Sequence, residues 1–169
     1  GIDTYGSDTD QSKLNDFVAA GGKQAPLTDI AAQIDCLMIV VVNAQQTKAV
    51  LDNVIESLKQ GAVVVACATV PPEFAKALEA DCQQRGLHYL DAPISGGSVK
   101  AAAGAITVLA SGTDDAFKQA QPALDAVAEK VFTLGNQAGP GSALKSINQL
   151  LAGVHIAAAA EAITFGLSQ

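Results

Sequence analysis

Near the end of this 169-residue chain, a lysine and two carboxamides fall on one side of a helix. Lys145, Asn148 and Gln149 occupy i, i+3 and i+4 in Gly139-Pro-Gly-Ser-Ala-Leu-Lys-Ser-Ile-Asn-Gln149, a spacing that stacks side chains on one helical face. Beyond them the helix is almost wholly apolar, so this polar face needs a partner or a ligand. A solvated lysine beside capping amides is the plainer reading. A second cluster, Asp91-Ala-Pro-Ile-Ser-Gly-Gly-Ser98, follows the short strand-like segment Leu87-His-Tyr-Leu90. Pro93 removes a backbone donor and stiffens the approach, and Gly96 and Gly97 can take dihedrals closed to other residues. A Ser95 hydroxyl beside two unobstructed amides forms a nest for a carboxylate or another small anion. The plainer reading here is a tight strand-to-helix turn, since Gly-Gly is a common turn dipeptide. His88 and His155 stand in no metal-ligand spacing with each other or with cysteines, and no Ser-His-Asp order or carboxylate pair stands out.

Composition narrows the chemistry further. A content of 49% hydrophobic and 16% charged residues describes one compact domain with a sizeable core. A net charge of −7 argues against nucleic acid as a partner, because phosphate binding needs clustered Lys and Arg. Without tryptophan there is little for bases to stack on. The N-terminus is polar and has no basic-then-apolar leader pattern, and the alanine-rich run 150–160 is shorter than a membrane span. No membrane partner is therefore expected. Cys36, Cys67 and Cys82 lie singly in apolar or helical segments, which fits buried thiols in a reducing cytoplasm rather than a disulfide or zinc framework.

The elements that must position these clusters alternate between strand and helix. Residues 1–6 read as a strand end, and Leu14, Phe17 and Val18 recur at helical spacing before Gly21-Gly22. The β-branched run 34–42 predicts a parallel strand buried on both faces, and 62–67 predicts another. Helices are expected over 28–33, 46–58, 71–85 and 114–127, with further strands over 87–90, 105–110 and 130–134. From Ser142 onward one long helix is predicted, buried on more than one side over Leu150 to Ala160. Strands alternating with helices of this length indicate an α/β fold, a Rossmann-like parallel sheet with helices on both faces.

The two clusters together resemble the β-hydroxyacid dehydrogenase family, which includes 3-hydroxyisobutyrate, tartronate semialdehyde and L-threonate dehydrogenases. Asp91 to Gly97 is similar to its substrate motif. Gly139, Gly141, Lys145, Asn148 and Gln149 are similar to its catalytic motif. Ser98-Val-Lys-Ala-Ala-Ala-Gly104 looks more like the L-threonate branch than the 3-hydroxyisobutyrate branch. The resemblance runs over essentially the whole chain. It implies a partial dinucleotide-binding domain over 1–138 and an interdomain helix over 139–169. The family's opening Gly-x-Gly-x-x-Gly unit and its C-terminal helical domain lie outside these residues.

What the resemblance implies for the site is NAD-dependent oxidation of a small hydroxy acid. Lys145 would act as general acid and base, Asn148 would orient the reacting oxygen, and Gln149 would assist. Ser95, Gly96 and Gly97 would hold the substrate carboxylate. Cofactor contacts would come from the carboxyl ends of the strands, where doubly wound sheets bind ligands. Asp8 could take both hydrogen bonds of an adenosine ribose diol, favouring NAD over NADP; it could equally be a surface-turn aspartate. Val42 and Asn43 stand where family members often carry Leu-Pro. Thr69 is either a ribose contact or a helix N-cap. A homo-oligomer is expected, and a non-catalytic binding or oligomerisation module is the alternative function.

Overall fold

The computed structural model describes residues 2–169. Two sheets carry the domain, a small parallel one and a larger mixed one. The smaller pairs β1 (Tyr5–Gly6) with β2 (Lys23–Gln24), separated by α1 (Gln11–Ala19). The larger is six-stranded, with β3 (Cys36–Ile39), β4 (Val63–Ala66) and β5 (His88–Asp91) running parallel. Two further strands, β6 (Ile94–Ser95) and β7 (Ile106–Gly112), join antiparallel, and β8 (Ala128–Thr133) pairs parallel with β7. The helices α2 (Leu27–Ile30), α3 (Ala44–Asp52), α4 (Pro72–Gln84), α5 (Gly97–Ala102) and α6 (Asp114–Val127) connect them, and α7 (Pro140–Leu167) ends the chain.

Strand β4 is buried on both faces, as its sequence predicts, because α3 and α4 cover one side and α6 the other. Val64 and Ala66 pack with Leu51, Val54, Leu78 and Tyr89, while Val63 and Val65 pack with Leu90, Val108, Ala120 and Leu124. The run 34–42 behaves differently. Only Cys36–Ile39 forms strand, pairing with β4 alone, and beyond it Val40 and Val42 are exposed, Val42 by 81%. Its other edge faces a groove of about 770 Å³ towards β1, lined in part by Tyr5, Ile34, Met38, Ala123 and Val127. A β-branched run reports strand propensity and apolar character, not which of its edges is paired.

The last helix also departs from expectation. It spans 28 residues, but only its first turns pack on the domain, where Gly141, Ser142 and Lys145 are buried. From Ser146 onward the helix is exposed, including Leu150, Val154, Ile156 and Phe165. An all-round apolar helix signals that burial is needed, and nothing among the described residues covers it. The helix is also longer than the apolar run 150–160 suggested: with a mean hydropathy of 1.7 it meets the length and composition of a membrane span.

Candidate active site

Lys145 and Ser95 meet at the junction of α7 with the sheet. Lys145 is 8% exposed, and its Nζ donates to Ser95 Oγ at 2.7 Å across 50 residues of sequence. Burial pushes the Lys145 ammonium below its ordinary pKa of 10.5, since desolvation penalises the charged form. A lysine so shifted serves better as a proton acceptor near neutrality. Asn148 and Gln149 continue the same helical face and are exposed, so they stand free to meet a ligand beside Lys145.

The turn after Ser95 takes the shape that its glycines permit. Gly96 has φ +128° and Gly97 φ +65°, both in the region that side chains disfavour. A Cβ on Gly96 would lie 2.8 Å from Lys100 Cβ, whereas one on Gly97 would meet nothing within 4 Å. Open space therefore adjoins the Gly97 backbone, next to the half-buried Ser95 hydroxyl. The sheet brings Ser95, Gly96, Gly97 and Lys145 together, as the two sequence clusters require.

What seats α7 was not legible in the motifs. The Asp91 carboxylate is fully buried at the end of β5. Its Oδ2 accepts from the Gly139 and Ser142 amides at 3.0 and 2.9 Å, and its Oδ1 accepts from Ser142 Oγ at 2.6 Å. Ser111 on β7 donates its hydroxyl to Asp91 at 3.3 Å and accepts from the Gly141 amide at 3.0 Å. One residue earlier, the Ala138 amide donates to Glu79 of α4 at 3.1 Å. A negative charge at a helix N-terminus is favourable, and these bonds use the donors that helix geometry leaves unpaired. The signal available in sequence was an aspartate at the end of an apolar strand, a position where an unpaired charge would be costly.

The candidate cofactor residues follow the carboxyl ends of their strands. Asp8 follows β1 and is exposed; its Oδ1 accepts from the Asp10 amide at 2.8 Å, beside a hollow of about 170 Å³ bounded by Gly6, Lys13 and Phe17. Val42 and Asn43 follow β3, and both bond to Gln46. The Val42 amide donates to Gln46 Oε1, and Asn43 Oδ1 accepts from the Gln46 amide as the N-cap of α3. Thr69 follows β4 and is exposed, and α4 starts without a side-chain cap, so Thr69 is not its N-cap. Asp8 accepts and Thr69 donates or accepts, a set that suits ribose hydroxyls. It does not suit a pyrophosphate at α1, where Asp10 already accepts from the Ser12 amide and presents negative charge.

Comparison with known proteins places the chain in a family. Residues 1–135 match the family described as the NAD binding domain of 6-phosphogluconate dehydrogenase. The chain belongs to this family. An L-threonate dehydrogenase from Cupriavidus necator is 44% identical over 173 residues, covering 100% of this chain and 58% of the relative. Another from Pectobacterium atrosepticum is 45% identical, covering 96% and 55%. The crystal structure of 3-hydroxyisobutyrate dehydrogenase from Salmonella typhimurium superposes with a TM-score of 0.91 at 44% identity, covering 96% of this chain and 58% of that one. The chain thus spans a little over half the length of the relatives it matches. In this chain the antiparallel β6 and β7 carry Ser95 and Ser111.

Proposed function

We propose that this segment serves an NAD-dependent dehydrogenase of a small hydroxy acid, with L-threonate or a related four-carbon sugar acid as substrate, oxidised to its 2-oxo form. The observation that carries the reading is the 2.7 Å contact between a buried lysine and the serine of a Gly-Gly turn. NAD, when bound, supplies the hydride acceptor. Ser95 with the backbone of Gly96 and Gly97 binds the substrate carboxylate, and their open side admits it. Lys145 takes the proton of the substrate hydroxyl during oxidation and returns it during reduction. Asn148 orients the reacting oxygen and Gln149 assists it. Asp8 and Thr69 hold ribose hydroxyls, while the exposed Val42 side chain and neighbouring Asn43 border the cofactor. The unpaired thiols Cys36, Cys67 and Cys82 fit a cytoplasmic setting, and burial pushes them to about 11, 12 and 12, where they stay protonated and inert.

Steady-state kinetics of the gene product carrying this segment test the reading. Turnover of L-threonate is expected with NAD in clear preference to NADP, because Asp8 would repel a 2′-phosphate. A preference for NADP would show that Asp8 is misassigned. Turnover of other hydroxy acids but not of L-threonate would reassign the substrate.

A second reading, an association module, is favoured by the exposed apolar length of α7. Exposed apolar patches of this extent mark interaction surfaces. The chain is expected to form a dimer or higher oligomer at micromolar concentration by light scattering. A monodisperse monomer would remove this reading, and co-sedimentation with lipid vesicles would reassign the helix to a membrane.

A further inference from the structure

Asp91 takes no part in the proton transfer above, yet its burial demands an explanation. It is 0% exposed, and none of the ion pairs among the described residues includes it. A buried carboxylate without a cation persists only when hydrogen bonds compensate its lost hydration. Here the compensation comes almost wholly from one place, the start of α7. The amides of Gly139 and Ser142 and the Ser142 hydroxyl donate to Asp91 directly. The Gly141 amide is taken by Ser111, whose own hydroxyl donates to Asp91. Pro140 has no amide hydrogen, and the Ala143 amide already donates to Gly139 within the helix. Every backbone donor from Gly139 to Ser142 is thereby satisfied by Asp91 or by a hydroxyl bonded to it.

The consequence lies one helical turn on. Lys145 follows Ser142 by three positions on α7, and Ser95 follows Asp91 by four positions on the β5–β6 segment. That segment is itself held, since the Leu109 amide donates to the Pro93 carbonyl at 2.9 Å and β6 pairs with β7. The chain from Asp91 to Ser142, along the helix to Lys145, and across to Ser95 closes into a ring. Two links join the helix to this segment: the carboxylate cap and the Lys145–Ser95 bond. We propose that Asp91 is a positioning residue, whose carboxylate docks the first turn of α7 and so sets Lys145 on Ser95. This rests on the reading of Lys145 as the proton-transfer group, but the docking can be measured without turnover.

The test is residue-resolved reductive methylation of this chain with formaldehyde and cyanoborohydride, read by mass spectrometry at neutral pH. Exposed Lys13 and Lys48 serve as internal references. In the parent chain Lys145 should be methylated slowly. Asp91→Asn presents an NH₂ to donors that need an acceptor, so local opening of the first turn should accelerate Lys145 by roughly tenfold. Lys13 and Lys48 should keep their parent rates. A purely structural role would raise all lysines together, or lower the melting temperature with Lys145 unchanged; either result overturns the proposal. Should Asp91→Asn fail to fold, Ser142→Ala decides instead, since it removes only the 2.6 Å hydroxyl bond to Oδ1. A smaller acceleration confined to Lys145 supports positioning, and no change there overturns it. Loss of turnover on Lys145→Ala tests the proton-transfer reading separately.

Discussion

Lys145→Ala is expected to lower kcat for hydroxy-acid oxidation by about 10²–10⁴-fold, the usual range for losing a general acid–base group. NAD affinity should hardly change, because the lysine acts on the substrate oxygen. The pH dependence gives a second signature. Burial lowers the folded pKa of Lys145 from 10.5, so its neutral form, the one able to accept a proton, grows as pH rises through that lowered value. The oxidation rate should therefore rise with pH to a plateau reached before an ordinary lysine would titrate, and Lys145→Ala should lose that inflection. The same shift bears on stability with a defined sign. The unfolded chain binds this proton more tightly, so the cost of burying the ammonium is full below the folded pKa. It fades as pH rises from the folded value towards 10.5. Near-parental kcat in Lys145→Ala across pH 7 to 10 would end the proposed mechanism.

Gly141→Ala should detach α7 from the sheet. A Cβ at Gly141 would lie 2.4 Å from the Leu109 carbonyl oxygen and 2.8 Å from that of Asp91, with the Asp91 carboxylate at 3.1 Å. Both carbonyls belong to paired segments and cannot swing aside, so the helix must retreat. Overpacking alone costs about 1–3 kcal/mol. Retreat also strands a buried carboxylate and the amides it holds, at about 1–3 kcal/mol for each unsatisfied group. A destabilisation above ~3 kcal/mol is therefore expected, a large share of a typical domain's stability. Gly153→Ala is the control: nothing lies within 4 Å of its Cβ position, and in an exposed helix interior alanine should stabilise by up to ~1 kcal/mol. Urea denaturation of both variants, with the helical signal followed by circular dichroism, checks this. An unchanged midpoint for Gly141→Ala would show that α7 does not seat where the structure places it.

Much of the fold was legible because its signals are local. The apolar run around Val63–Ala66, the Pro-started α4 and the Thr113-capped α6 each announce themselves through periodicity and end chemistry. The polar face of Lys145, Asn148 and Gln149 follows from helical spacing alone. The turn at Gly96 and Gly97 follows from the dihedrals that only glycine takes readily. Those residues determined an α/β domain, a candidate anion nest and a candidate base.

Other features depended on which distant segment lies alongside. Val40 and Val42 are as β-branched as Val64, but they lie beyond the end of β3, whereas Val64 lies within β4 between two paired strands. Burial therefore separates residues that propensity treats alike. The tail of α7 reads as buried by composition and stands exposed, because burial needs a partner surface and composition names none. Asn43, a candidate for the cofactor, spends its side chain on a helix cap. Asp91 is the sharpest case. In sequence it is one more acidic residue after an apolar strand. Only the tertiary fold brings the amides of Gly139 and Ser142 to its carboxylate, making a costly buried charge into the anchor of the helix that carries Lys145.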